Sequence, residues 1–437
     1  MPRHRRYSPL RVLLNNRLVG YLSRQPSGAV RFAYDRRWLE WAHALPVSLS
    51  LPLRGDAYTG EPVVAVFDNL LPDSEALRGL VAERVGAAGI DAYHLLAAIG
   101  HDCVGALQFI VPDDEPDGDT AGINGEAIGE AAIEQLLNGL AQAPLGLERE
   151  DAFRISVAGA QEKTALLWHE GRWLKPHGTT PTTHILKTQI GKLPNGIDLS
   201  NSVENEFYCL KLAAAFGLPV NEAAIHPFGA TKALVVERFD RRWSRDGRLL
   251  RLPQEDCCQA LSVPPTRKYQ NEGGPGLVDV LDVLKGSDNP ARDQATVLKA
   301  QILFWLIGAT DGDAKNFSIF LNPGGTYQLT PLYDVLTAEP SLAARQIERK
   351  QMRLAMSVGT NRHYKNDEIQ TRHIVQTGRA ANLPNVLIQD AIQEMADNAG
   401  QALERIEDAL PPDFPEAIHD AVKHAVKRRI ARLSVSP

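Results

Sequence analysis

Thr310-Asp311-Gly312-Asp313-Ala314-Lys315-Asn316, with Asp334 eighteen residues further on in Leu329-Thr330-Pro331-Leu332-Tyr333-Asp334, is the stretch on which the fold turns. Asp311 and Asn316 are five positions apart. That spacing suits phosphoryl transfer, in which a carboxylate receives the incoming hydroxyl proton and an amide oxygen five residues on holds a divalent cation. Asp334 is placed to be the second cation ligand. The intervening residues read as a β-hairpin: Phe317-Ser318-Ile319-Phe320-Leu321, then Asn322-Pro323-Gly324-Gly325 as the turn, then Thr326-Tyr327-Gln328-Leu329 returning. Such a ribbon would carry Asn316 and Asp334 back to one end. Read without the hairpin, the same Asp and Asn are ordinary turn caps.

Upstream, Asp293–Ile307 is predicted to be a buried helix that delivers this loop, with Gly308 as its stop. Further upstream, Ala233-Leu234-Val235-Val236-Glu237-Arg238-Phe239-Asp240 is an apolar run that turns polar abruptly. It suits a hinge that binds adenine through the Glu237 carbonyl and the Phe239 N–H. Thr183-His184-Ile185-Leu186-Lys187 is a β-run ending in a lysine fit to pair with phosphates. The helix predicted over 202–216 places Val203, Glu206, Leu210 and Ala213 on one face. Glu206 then points inward and needs a cation, for which Lys187 is the expected partner. Glu204 is assigned to a more polar flank beside Lys211.

Phe153–Ser156 and Thr164–Trp168 read as strands around the small-residue loop Val157-Ala158-Gly159-Ala160-Gln161-Glu162-Lys163, whose N–H groups could cradle phosphate. Lys163-Thr164 imitates the end of a Walker A loop. That motif needs glycine where Val157 and Glu162 stand, and a helix rather than a strand after it.

Residues 10–34 read as short strands with turns at Asn15-Asn16 and Pro26-Ser27-Gly28, followed by helical patterns over 73–99. Asp113–Asp119 is an acidic linker, 127–141 a helix, and 386–434 a helical tail. With 437 residues, 44% hydrophobic and 23% charged, the chain can form two or three globular lobes. A net charge of −6 excludes a broad whole-chain affinity for nucleic acid. Basic clusters at Met1–Arg6 and at Lys423, Lys427, Arg428, Arg429 and Arg432 are expected to be solvated. Cys103, Cys209, Cys257 and Cys258 have neither zinc nor disulfide spacing. The longest apolar run, Ile302–Ile307, is too short to cross a bilayer, and the start of the chain lacks a secretory core. The expected location is the cytoplasm.

Across these stretches the chain resembles the HipA family, serine/threonine kinase toxins of bacterial type II toxin–antitoxin modules. The resemblance runs through Phe67–Asp73 (FDNLLPD), Ile99–Ala106 (IGHDCVGA), Phe153–Leu167, Pro181–Lys187, Asn201–Cys209, Val236–Trp243, Arg251–Gln259, Trp305–Phe320 and Leu329–Asp334. It implies an α+β, two-lobed protein-kinase-like fold: a small N-terminal α/β subdomain (1–112), a nucleotide-binding lobe (127–240) and an all-α C-terminal lobe (241–437). It also implies ATP and Mg2+ as cofactors. By the same resemblance Asp311 is expected to be the catalytic residue, and Asn316 and Asp334 the metal ligands. Val157 to Lys163, Lys187, Glu206, Glu237, Phe239, Lys315 and Tyr333 are the implied nucleotide-binding set. Ser156 matches the family's autophosphorylation site, where phosphate expels the loop and inactivates the enzyme. The implied partners are a HipB-like helix-turn-helix antitoxin, operator DNA through that antitoxin, and a protein substrate such as glutamyl-tRNA synthetase, with no membrane. A corepressor scaffold and a lipid or small-molecule kinase are the rival readings. Asp313 departs from the family pattern, because a basic or imidazole group there would better complement phosphate.

Overall fold

The computed structural model describes residues 7–112, 122–147, 153–159 and 161–433. The basic Met1–Arg6, the acidic linker Asp113–Asp119 and Ala160 of the phosphate loop lie outside the described residues. The chain divides into two compact units, one made of 1–188, 226–266 and 319–327, the other of 189–225, 267–318 and 328–437.

The first unit holds two sheets. One is antiparallel, in the order Tyr58–Thr59, Val30–Tyr34, Arg17–Arg24, Leu10–Leu14, Leu107–Ile110. Its first hairpin closes with only Asn15 and Asn16 between the paired Leu14 and Arg17, at φ 47° and 64°. Two successive left-handed residues make the turn whose twist matches that of the strands, and Asn tolerates that conformation better than most residues. The helices Glu61–Asp68, Glu75–Val85 and Ala92–Ile99 follow. Phe67 packs between Phe32 and Phe109, at 5.5 Å from each ring.

The second sheet runs Ala223–Phe228, Thr231–Glu237, His184–Lys187, Lys163–His169, Arg172–Pro176, Gly125–Ala127. The helix Glu130–Asn138 buries Ile133 and Leu137 in a cluster with Leu166, Leu186, Phe228 and Ala233 from this sheet. Burying such side chains is worth about 1.5–3 kcal/mol each. Phe153–Ser156, expected to be a strand, joins no ladder of the sheet. Ser156 instead forms an isolated parallel bridge with Cys103, its N–H donating to the Asp102 carbonyl at 2.9 Å.

Helices dominate the second unit: Ser202–Ala215, Leu277–Val283, Pro290–Ile307, Thr371–Ala380, Asn385–Ala409 and Glu416–Ile430. The α+β class holds, but residues 241–437 are not all-α. Short strands stand at Arg241–Trp243, Leu249–Arg251, Gln254–Asp256, Ser318–Leu321, Tyr327–Leu329, Arg353–Val358 and His363–Lys365. Each is only three to six residues long, too short for its alternation to register against the helical pattern around it.

Pro290–Ile307 is the helix that matters for the site. Asn289 caps its start by accepting the Arg292 N–H, and Pro290 fills the first position, where a missing N–H costs nothing. From Ala300 to Ile307 every residue is buried. It stops at Gly308 with φ 68°. A Cβ there would sit 2.5 Å from Glu339 Oε1 and 2.8 Å from Met352 Cε, so the stop needs glycine for space as well as for conformation. The last two helices leave Lys427 exposed, as expected, but bury Arg429 completely.

Candidate active site

In the second unit, the chain leaves the helix at Gly308 and reaches Asp311, which is exposed. Asp313 and Asn316 close a 3-10 turn reciprocally: Asp313 Oδ1 accepts the Lys315 N–H at 2.7 Å, and Asn316 Oδ1 accepts the Asp313 N–H at 3.1 Å. The turn-cap reading is realised at Asn316, and it does not exclude a role as a ligand. A carbonyl oxygen carries two lone pairs, so one backbone bond leaves the other able to meet a cation.

The hairpin forms as expected, with Ser318–Leu321 and Tyr327–Leu329 as neighbours in one sheet and Gly324 and Gly325 left-handed in the turn. Its return brings Tyr333 onto the loop. The Tyr333 hydroxyl donates to the Lys315 carbonyl at 2.7 Å and shares a 2.6 Å hydrogen bond with Ser318 Oγ. Asn316 and Asp334 each follow one of the bonded pair directly in the chain.

Asp334 itself is left-handed, with φ 57°. A side chain in that conformation costs roughly 1–2 kcal/mol and persists only where its surroundings enforce it. They do so here. Leu332 N–H donates to the Pro219 carbonyl, and the Leu332 carbonyl accepts from Asn221. On the other side, Asn205 receives the Thr337 N–H at 2.9 Å and donates to the Thr337 carbonyl at 2.8 Å.

Glu206, the next residue of that helix, is buried at 2% exposure, as predicted. Glu204 is buried too, contrary to expectation, with its Oε2 accepting from Gln189 Nε2 at 2.7 Å. Lys211 instead pairs with Glu222 at 3.9 Å. The helix is enclosed on more faces than its apolar stripe suggests.

Asp313 is fully buried and its Oδ2 lies 3.4 Å from Lys268 Nζ. Burial pushes its carboxyl up to about 7, and Lys268 only partly offsets this. Its charge is thus turned into the protein and met by a lysine. Beside it, Tyr269 donates its hydroxyl to Asp311 Oδ1 at 2.7 Å. Neither Lys268 nor Tyr269 was legible as a site residue, since no spacing links them to a loop more than forty positions downstream.

In the first unit, Lys163 and Lys187 are direct partners in the antiparallel ladder and are 5% and 7% exposed. Like charges directly opposite are destabilising, so two such lysines call for anions nearby. Lys163 Nζ reaches back to the Ala158 carbonyl at 2.9 Å, and Gln161 Nε2 donates to the Thr188 carbonyl at 2.8 Å, folding the loop onto the lysine strands. Gly159 has φ 105°, and a Cβ there would lie 2.5 Å from Lys163 Nζ. Val157 is a core residue, whereas Glu162 is exposed. Ser156 is fully buried, its Oγ donating to the Leu70 carbonyl at 2.6 Å.

At the expected hinge, Glu237 pairs with His184 and is exposed, the Arg238 N–H donates to the Thr183 carbonyl at 2.8 Å, and Phe239 sets its edge against Phe320. Arg238 is no part of an adenine edge. It enters a buried cluster in which Asp102 receives Arg241, Arg251, Arg238 and Thr182, while Asp240 receives both ends of Arg238 and the Gly105 N–H.

Family models match most of the chain: the HipA N-terminal domain over residues 10–110 and the HipA-like C-terminal domain over 155–403. Y4mE of Sinorhizobium fredii, which carries a provisional kinase name, is 34% identical, covering 98% of this chain and 99% of its own. The serine/threonine-protein kinase toxin HipA of Shewanella oneidensis is 29% identical, covering 97% and 94%. A solved complex of Shewanella oneidensis HipA, HipB and operator DNA superposes with a TM-score of 0.77 at 26% identity, covering 97% of this chain and 96% of that one. Among the described residues, no helix is long and apolar enough to cross a membrane.

Proposed function

Because this chain belongs to the HipA family, we propose that it is an ATP- and magnesium-dependent serine/threonine protein kinase acting as the toxin of a toxin–antitoxin pair. The observation that carries this reading is the hydrogen bond from Tyr333 to the Lys315 carbonyl, because Asn316 and Asp334 follow these two residues directly in the chain and Asp311, on the same loop as Asn316, is exposed. An amide oxygen and a carboxylate are the hard donors that magnesium takes, usually one or two per ion with phosphates and water completing the shell. Asn316 and Asp334 would hold the ion, which when bound neutralises phosphate charge.

Asp311 orients the acceptor hydroxyl and receives its proton. Lys163, Lys187 and the N–H groups of the 157–163 loop supply positive charge to the ATP phosphates, Glu237 and Phe239 offer backbone groups to adenine, and Glu206, Lys315 and Tyr333 support the nucleotide-binding set. The transition state is loose, so this machinery works by positioning and charge compensation. Ser156 is the proposed autophosphorylation site, and its burial means that the 153–159 segment must open before phosphate can be added. The solved Shewanella complex supports a HipB-like antitoxin, and operator DNA through it, as partners. Glutamyl-tRNA synthetase is the first substrate to test.

The test is brief expression of wild type and Asp311→Ala followed by phosphoproteomics, with mass spectrometry of the purified chains after ATP. Phosphate on cellular proteins and on Ser156 is expected with wild type alone. Undiminished transfer by Asp311→Ala would overturn the reading, and antitoxin binding retained by that variant would separate any scaffold role from catalysis.

A further inference from the structure

Adjacent residues Lys268 and Tyr269 reach the two acids of the catalytic loop: Lys268 Nζ lies 3.4 Å from Asp313 Oδ2, and the Tyr269 hydroxyl donates to Asp311 Oδ1 at 2.7 Å. The segment that presents them is held rigidly. The Tyr269 carbonyl accepts two N–H groups, from Glu272 at 3.0 Å and Gly274 at 2.9 Å, and the Gln270 side chain accepts the Ser357 N–H at 2.7 Å. Tyr269 is extended, with φ −86° and ψ 132°, immediately before a 3-10 turn. Partial burial, then the adjacent Asp311 carboxylate, raise the Tyr269 hydroxyl well above its ordinary range, so the phenol keeps its proton and acts as donor.

Asp311 is exposed and sits on a loop. A carboxylate has several staggered rotamers open to it, and the Tyr269 donor on Oδ1 favours one of them and so helps set the orientation presented to the acceptor hydroxyl. We propose that Tyr269 is a positioning residue for phosphoryl transfer, locking the orientation of Asp311, while Lys268 supplies the positive charge that lets an aspartate occupy position 313. This rests on the kinase reading. Tyr269 takes no part in nucleotide binding, so its loss should lower turnover and leave ATP saturation alone.

The experiment compares wild type, Tyr269→Phe, Tyr269→His and Asp311→Ala in full-length protein, with autophosphorylation and transfer to casein from radiolabelled ATP, ATP titrations and thermal midpoints. For Tyr269→Phe, kcat should fall roughly 10- to 100-fold, the range for one hydrogen bond to a charged group. KM for ATP should stay within about two-fold and the thermal midpoint should be unchanged, because only the bond to Asp311 is lost. Tyr269→His, whose ring N–H can donate, should recover part of the rate. Wild-type turnover by Tyr269→Phe overturns the proposal, as does a loss matched by a lower midpoint and not relieved by histidine, which marks a packing role. An inactive wild type would overturn the kinase reading, and this proposal with it.

Discussion

Asp334 and Asp313 show what single residues contribute to the site. The left-handed Asp334 stores strain that Asn205, Pro219 and Asn221 maintain through their hydrogen bonds on either side of it. Asp313, whose charge looked incompatible with a phosphate site, is withdrawn to full burial against Lys268. Glu255 is the third notable acid. It is 1% exposed, its Oε1 accepts the Leu49 N–H at 2.8 Å, and burial pushes its carboxyl up to about 8. The folded chain therefore prefers the neutral acid. Stability from this group is complete below the unfolded value near 4.5 and is lost as pH climbs to about 8. Glu255→Gln keeps the acceptor and removes the charge. Its denaturation midpoint should vary less between pH 5 and 8 than the wild-type one, and parallel pH profiles would refute this assignment.

Among elements, the end of Pro290–Ile307 governs where the loop that carries Asp311 begins. The last carbonyls of a buried helix need donors. Arg429 supplies one, giving Nη1 to the Leu306 carbonyl at 3.0 Å and Nη2 to the Glu339 carboxylate, and the Thr337 hydroxyl donates to the Ile307 carbonyl. The basic tail that looked solvated thus contributes a residue that is 1% exposed. Arg429→Met strips Glu339 of this partner and should cost about 3–5 kcal/mol, the usual penalty for breaking a buried ion pair. Urea denaturation measures it; a loss under about 1 kcal/mol would mean that water or another donor replaces the guanidinium. Periodicity located this helix well. It could not say what caps the helix, because the donor lies more than a hundred and twenty positions away.

At the scale of the whole chain, the buried ions of the first unit join segments distant in sequence: 102–105, Thr182, 238–241 and Arg251. Asp102 is the hub. Burial raises its carboxyl, but Arg241, Arg251 and Arg238 more than offset this and hold it well below the usual range. Its stabilisation is present above the unfolded value of about 3.8 and is lost as pH falls through the folded one. Asp102→Asn leaves three guanidiniums with less compensation and should cost about 3–5 kcal/mol at neutral pH, with a smaller difference from wild type in strong acid. Equilibrium denaturation at pH 7 and pH 3 tests both the size and the sign. Equal losses at the two pH values would show that the charge of Asp102 is not the cause.

What the sequence determined by itself was local. The D-x-x-x-x-N spacing, the glycine-rich hairpin turn, the helix stop at Gly308 and the inward Glu206 depend on residues near one another, and each is found where its pattern put it. The packed fold alone settles that Phe153–Ser156 bonds to Asp102 rather than to the sheet, that Glu204 and Arg429 are buried, and that Lys268 and Tyr269 meet Asp313 and Asp311. The physical reason is that a propensity or a cap acts over a few residues, whereas the partner of a buried charge is chosen by whatever the packed fold brings within about 3 Å.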